Sequence, residues 1–130
     1  MEYNIVVSRN QFNIIGINNK LVVSCKDDLQ NFNRITSDEY PEGSTNIVVM
    51  GYNTWLSINQ KPLPNRMNVI ISKNHKVDVS ENVHQCESLD KMFEWVSETS
   101  AGRLFIIGGS YLFQECYKKY SHLLNNVYLT

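Results

Sequence analysis

A chain of 130 residues with 42% hydrophobic and 19% charged side chains is long enough to bury one continuous core, so a single domain over residues 1–130 is expected, without metal or disulfide staples. The 12 Lys and Arg against 13 Asp and Glu leave a formal charge of −1 and form no basic cluster, which argues against nucleic acid or an anionic membrane surface as partner and for a small molecule. Cys25, Cys86 and Cys116 are odd in number and widely spaced, and His75, His84 and His122 lack metal-ligand spacing; free thiols in a reducing, cytoplasmic setting and no metal site are the expectation. The start meets Glu2 and Arg9 too early for a signal peptide, and no apolar run approaches membrane length.

Taken in chain order, Ile5-Val6-Val7 reads as a short buried strand, followed by an Asn-rich loop through Lys20 that contains Ile15-Gly16. Ser24 to Asp27 resembles a capping box, and Leu29, Phe32 and Ile35 recur at three-residue steps, so an amphipathic helix is expected there. A strand from Asn46 to Met50 stops at Gly51 and restarts as a short helix carrying Thr54, Trp55 and Ile58. The turn Pro62-Leu63-Pro64 then leads into a strand from Val69 to Ser72. A weak strand is expected near Asn82 to Cys86, and Ser88 should cap a helix with Leu89, Met92, Phe93 and Val96 on one face. Leu104 to Ile107 is a fully apolar strand, a helix starts at Gly109 or Ser110, and Val127 to Thr130 closes the pattern as a further strand. Strands alternating with helices imply a three-layer α/β protein, its mostly parallel sheet covered by helices on both faces.

Several residue patterns could carry chemistry. A β-branched run that ends at a glycine and resumes as a helix points backbone N–H groups outward at the strand's carboxyl end, where anionic ligands are held. Both Gly51 and Gly108-Gly109 stand at such junctions, although a glycine pair by itself also marks a simple turn. Asp28 sits at the start of the first helix, beside Leu29 and one turn before Phe32. A carboxylate among apolar groups can grip a planar amidine-like edge through two hydrogen bonds, while the plainer reading is an acid favouring a helix N-terminus. Arg66 follows the proline turn, and it either presents a fork to a carboxylate or lies free in solvent. Trp55 is expected in the core, and Cys25 is expected to be inert.

The combination Gly51-x-x-Thr54-Trp55-x-Ser57-Ile58, then Pro62-Leu63-Pro64-x-Arg66-x-Asn68, with Asp28-Leu29-x-x-Phe32 and Ile107-Gly108-Gly109, resembles the dihydrofolate reductase family over nearly the whole chain. That resemblance implies reduction of 7,8-dihydrofolate by hydride transfer from NADPH. It makes Asp28 the catalytic acid that holds the pterin, with Thr130 bonded to it and solvent delivering the proton. Val6, Leu29, Phe32, Ile58, Leu63 and Ile107 would line the substrate side, and Arg66 would take the carboxylate of the glutamate tail. For the cofactor it implies Val6, Ile15 and Gly16 at the carboxamide, Gly51, Asn53, Thr54, Gly108, Gly109, Ser110, Tyr111 and Leu112 around the phosphates, and Ser72 and Lys73 at the 2′-phosphate.

Four features depart from the family pattern. Leu21-Val22-Val23 stands where the family writes Leu-Pro-Trp, Tyr52-Asn53 stands where a basic residue is usual, and Phe113 stands where Tyr is common. The chain also stops at Thr130, so the fold is expected to lack the family's C-terminal hairpin and to leave a sheet edge open to a second copy or to a thymidylate synthase partner. A catalytically impaired or non-catalytic binding or assembly module is the competing expectation, with a reductase of another pterin-like substrate as a third.

Overall fold

The computed structural model describes residues 2–7, 22–24, 29–37, 44–99 and 102–129, with the backbone alone for residues 22–24, 29–32 and 129. Seven strands form one sheet: β1 Glu2–Val7, β2 Val22–Ser24, β3 Ile47–Gly51, β4 Met67–Ile71, β5 Val83–Cys86, β6 Arg103–Gly108 and β7 Asn126–Leu129. Their order across the sheet is β2-β7-β1-β6-β3-β4-β5, and every pairing between them is parallel. Among the described residues four helices, α1 Leu29–Ser37, α2 Tyr52–Ser57, α3 Leu89–Ser97 and α4 Ser110–Tyr120, connect or flank them, and a 3-10 turn at Ser121–Leu123 follows α4.

A parallel sheet buried on both faces needs strands that are apolar at successive positions. Ile47, Val48, Val49 and Met50 meet that need, each no more than 2% exposed. Because side chains alternate across a strand, they divide between two cores. Ile5, Val7, Ile47, Val49, Val69, Leu104 and Ile106 pack with Leu89, Met92 and Val96 of α3 and Leu112, Phe113 and Cys116 of α4. Val6, Val48, Met50, Ile70 and Phe105 pack on the opposite face with Trp55 of α2 and Ile35 of α1. The expected three layers are therefore present, with Trp55 in the interior as its sequence context suggested.

The N-cap expected at Ser88 is present, its side chain accepting from the Lys91 amide at 3.2 Å. One local expectation gives way to another arrangement. Val22–Ser24 is a strand beside β7, so Ser24, read as a helix-capping residue, pairs instead with Leu129; two adjacent β-branched valines favour that extended conformation. As a result β7 lies between β1 and β2, and β2 and β5 are the outer strands of the described sheet.

Asparagine side chains stitch the amino-terminal ends of the strands. Asn46 donates to the Thr36 carbonyl and accepts from the Arg103 amide, both at 2.9 Å, joining α1, β3 and β6. Asn68, with no solvent exposure, accepts from the Leu63 amide and donates toward the Leu63, Arg66 and Asn82 carbonyls at 2.9 to 3.3 Å. It locks the proline turn onto β4. Cys86 and Cys116 are buried free thiols; burial raises the pKa of both, that of Cys116 to about 12, so neither is a thiolate near neutrality. Replacing Asn68 by Ala would leave several buried backbone groups without a partner, and Asn68→Ala should lower unfolding free energy by about 3 kcal/mol in urea titration, with an unchanged m-value.

Candidate active site

The chain enters the sheet at β1, builds outward through β3, β4 and β5, then returns with β6 between β1 and β3. Open α/β sheets hold ligands outside the carboxyl ends of their strands at such a reversal. Here the strands also part: the register of β1 with β6 ends at Ile5 and Ile106, while β6 runs on to Gly108. On its other side β6 shifts register against β3, Val49 pairing with Ile106 and Met50 with Gly108, so that Ile107 is left over as a bulge. Ile107 is partly buried and packs toward the core face shared with Val6, Ile58 and Leu63.

The two glycine junctions meet at this edge. A Cβ at Gly51 would lie 3.8 Å from the Gly109 nitrogen and 3.9 Å from the Gly108 oxygen. The peptide between Gly108 and Gly109 is cis, and Gly108 has φ +155°, a conformation that side-chain-bearing residues rarely adopt. A Cβ there would come within 2.9 Å of the Thr54 hydroxyl, and one at Gly109 within 3.4 Å. Thr54 thus rests on the backbone of the second junction from the helix that begins at the first. Gly51 and Gly109 are also the N-caps of α2 and α4, and neither has a side chain to fill the cap. The 11-residue α4 therefore opens with amide donors toward this edge.

Around them lies a cavity of about 780 Å³, lined by Gly51, Tyr52, Asn53, Thr54, Ser72, Lys73, Gly109, Ser110, Tyr111 and Leu112, together with Asn74, His75 and Glu115. Nearly every cofactor residue inferred from the sequence that the structure describes is on this wall, with Gly108 one residue behind it. Leu112 is 4% exposed, so most of its surface belongs to the core. The Ser72 hydroxyl is engaged in its own turn, donating to the His75 carbonyl at 3.1 Å and accepting from the His75 amide at 3.2 Å. His75 and Tyr52, whose rings stack at 4.2 Å, line the same cavity and were not singled out as ligand contacts. Nothing in local spacing brings residues 52 and 75 together; only the pairing of β3 with β4 does.

Arg66 is not the free surface side chain that is common for arginine. It is 4% exposed, and its guanidinium donates from Nε to the Pro64 carbonyl at 2.9 Å and from Nη1 to Thr36 Oγ1 at 2.7 Å and Asn33 Oδ1 at 3.3 Å. Burial lowers its pKa from the ordinary arginine value, and the partners it has among the described residues are neutral. Such a cation is desolvated without being neutralised, which favours an incoming carboxylate. Asp28, Thr130, Ile15 and Gly16 lie outside the described residues, as do the side chains of Leu29 and Phe32, although Leu29 and Phe32 belong to α1.

This architecture defines an α/β protein with two glycine junctions meeting at the carboxyl edge of its sheet. A family model described as dihydrofolate reductase matches residues 2–130. The chain is similar to the bifunctional dihydrofolate reductase-thymidylate synthase of Paramecium tetraurelia, 41% identical over 101 residues that cover 78% of this chain and 20% of that protein. It is similar also to the dihydrofolate reductase of Pneumocystis carinii, 36% identical over 114 residues, with 77% of this chain and 54% of the relative covered. A solved structure of Schistosoma mansoni dihydrofolate reductase superimposes with a TM-score of 0.72 at 25% identity, over 99% of this chain and 72% of that one. The chain belongs to the dihydrofolate reductase family. It spans about a fifth and about half, respectively, of the two curated relatives it matches here.

Contact at the glycine junctions makes a direct test of the site's backbone. Gly108→Ala should lower stability by about 3 kcal/mol in thermal unfolding, through positive φ and the Thr54 contact together. Gly51→Ala, with ordinary φ −77° and a Cβ that would sit 3.8 and 3.9 Å from the Gly108-Gly109 backbone, should stay within about 1 kcal/mol of the parent in the same thermal unfolding assay.

Proposed function

We propose that the chain reduces 7,8-dihydrofolate to tetrahydrofolate, with NADPH as hydride donor. The observation that carries this reading is the meeting of the two glycine junctions with Thr54 at the sheet edge, beside the apolar face of Val6, Ile58, Leu63 and Ile107. A cradle in which a Cβ at Gly108 would strike Thr54 fits a ligand that must come close to backbone, and a dinucleotide pyrophosphate at the open end of α4 is such a ligand. NADPH supplies the hydride when bound.

In this reading the chain's own residues position and exclude. The backbone of Gly109 and Ser110 faces the phosphates, and Lys73 offers its charge to the 2′-phosphate while Ser72 shapes the turn. Val6, Ile58, Leu63 and Ile107, with Leu29 and Phe32, provide the apolar surface for the flat substrate. Asp28 holds the pterin edge, Thr130 supports Asp28, Ile15 and Gly16 reach the carboxamide, and solvent provides the proton. Arg66 holds the tail carboxylate, which would neutralise a guanidinium now bonded to neutral acceptors. Alignment of two planar rings then supplies much of the barrier reduction. A reducing cytoplasm suits the unpaired Cys86 and Cys116. Relatives that carry thymidylate synthase in the same protein favour such a partner or further domain, or a second copy of the chain, as a neighbour of the outer strands β2 and β5.

The competing reading is a binding module without turnover, favoured by Val22-Val23 and Tyr52 at positions where the family carries Trp and a base. NADPH oxidation on dihydrofolate by the purified chain separates the two: turnover is expected, with kcat/KM falling by on the order of a hundredfold or more in Asp28→Asn. Tight binding of NADPH and methotrexate without turnover would instead establish the module. Arg66→Leu should raise KM for dihydrofolate by on the order of tenfold or more while leaving a dihydropterin without a glutamate tail nearly unaffected, as steady-state comparison of the two substrates would show.

A further inference from the structure

We propose that Thr36 is a positioning residue for substrate selectivity: its hydroxyl oxygen turns the Arg66 guanidinium so that Nη2 is left for a carboxylate, and α1 thereby sets the preference for a substrate with a tail. This rests on the reading of Arg66 above and deepens it. A guanidinium carries five N–H donors in one plane, one on Nε and two on each Nη. Nε is engaged by the Pro64 carbonyl at 2.9 Å, and Nη1 by Thr36 Oγ1 at 2.7 Å and Asn33 Oδ1 at 3.3 Å. Both donors of Nη2 are without an acceptor among the described residues.

Of the three acceptors, Thr36 fixes the direction of the plane. Pro64 stands two residues before Arg66 and moves with the same turn, and Asn33 is half-buried at the longest of the three distances. Thr36 is fully buried, belongs to a different element and makes the shortest contact. Its own place is fixed as well: Asn46 donates to the Thr36 carbonyl and accepts from the Arg103 amide, which ties the last turn of α1 to β3 and β6. Asn68 holds the backbone of Leu63 and Arg66, which fixes where the arginine stem begins but not how the plane at its end is turned. A fork already aimed loses little freedom when a carboxylate arrives, and one left free to rotate loses much more.

The helix adds a length to this direction. α1 starts at Leu29, the residue after Asp28, and Thr36 lies in its last turn. At the α-helical rise per residue, Leu29 and Thr36 are roughly 10 Å apart along the axis. In the reading above, one rigid element then follows the acid that holds the pterin and ends on the oxygen that aims the cation for the tail. A ligand without the tail engages the first of these and not the second.

Calorimetric titration with dihydrofolate and with a dihydropterin lacking the glutamate tail, both without NADPH so that neither is consumed, tests this. Thr36→Val keeps the branched shape and removes the acceptor; it should weaken dihydrofolate by roughly tenfold and change the dihydropterin by less than about twofold. Thr36→Ser, which restores the oxygen, should return dihydrofolate to within about threefold of the parent. Adding Thr36→Val to Arg66→Leu should weaken dihydrofolate little further, because the two residues act through one contact. Equal losses for both ligands, a serine no better than the valine, or a full additive loss on top of Arg66→Leu would mark a packing role and overturn the proposal. Thermal unfolding checks that each variant is folded, and should Thr36→Val not fold, Thr36→Cys, with its weak acceptor, gives the same comparison against Thr36→Ser. If Arg66→Leu fails to separate the two ligands, or the folded parent binds dihydrofolate no better than the dihydropterin, the reading of Arg66 falls and the proposal with it. Separation by Arg66→Leu without separation by Thr36→Val overturns the role of Thr36 alone.

Discussion

Everything at the carboxyl edge of the sheet depends on the close approach of two backbones. β3 ends at Gly51 and β6 at Gly108, and a Cβ at Gly51 would make ordinary contact with the Gly108-Gly109 backbone, whereas one at Gly108 would strike the Thr54 side chain. Thr54, one turn into α2, fills the remaining space and touches the position of both missing Cβ atoms. Steric fit here is made from main chain and one hydroxyl-bearing side chain, so the surface offered to a ligand is largely peptide N–H and C=O. That is a chemistry suited to phosphate, and it requires no net positive charge nearby.

Packing below the edge keeps the two junctions in register. Val48, Met50, Ile70 and Phe105 are fully buried beneath α1 and α2, while Val49, Val69 and Ile106 are equally buried beneath α3 and α4. A sheet clamped from both faces cannot slide without moving every strand's side chains to the wrong layer. The one permitted irregularity, the shift between Val49 and Met50 against β6, falls next to the site and sets Ile107 apart from the regular pairing. At the opposite end of the strands, Asn46, Asn68 and Arg66 replace apolar contact with directed hydrogen bonds, which tie α1 and the proline turn to the sheet.

Charge is distributed with the same economy. The described residues contain one buried guanidinium, that of Arg66, and its partners among them are a carbonyl, an amide oxygen and a hydroxyl. The cavity beside the glycine junctions carries opposing charges and aromatic rings. The buried fork of Arg66 and the cavity wall of main chain and stacked rings are thus chemically distinct surfaces. The two halves differ in how salt should act on them, since screening reaches exposed charges far more than buried ones.

Local sequence determined a good deal. The apolar runs at Ile47–Met50 and Leu104–Ile107 announced buried parallel strands, Ser88 announced a helix start, and Gly51 and Gly108-Gly109 announced strand-to-helix junctions, because each is a short-range consequence of side-chain shape and backbone freedom. Sequence alone also pointed to the family, through motifs that survive individually. Tertiary structure decided what depends on long-range pairing: that Val22–Ser24 forms a strand against β7, that Arg66 is buried against Thr36 and Asn33, and that Tyr52 meets His75. Those contacts join residues up to about a hundred positions apart, and a one-dimensional pattern holds no record of which strand will lie beside which until the sheet has closed.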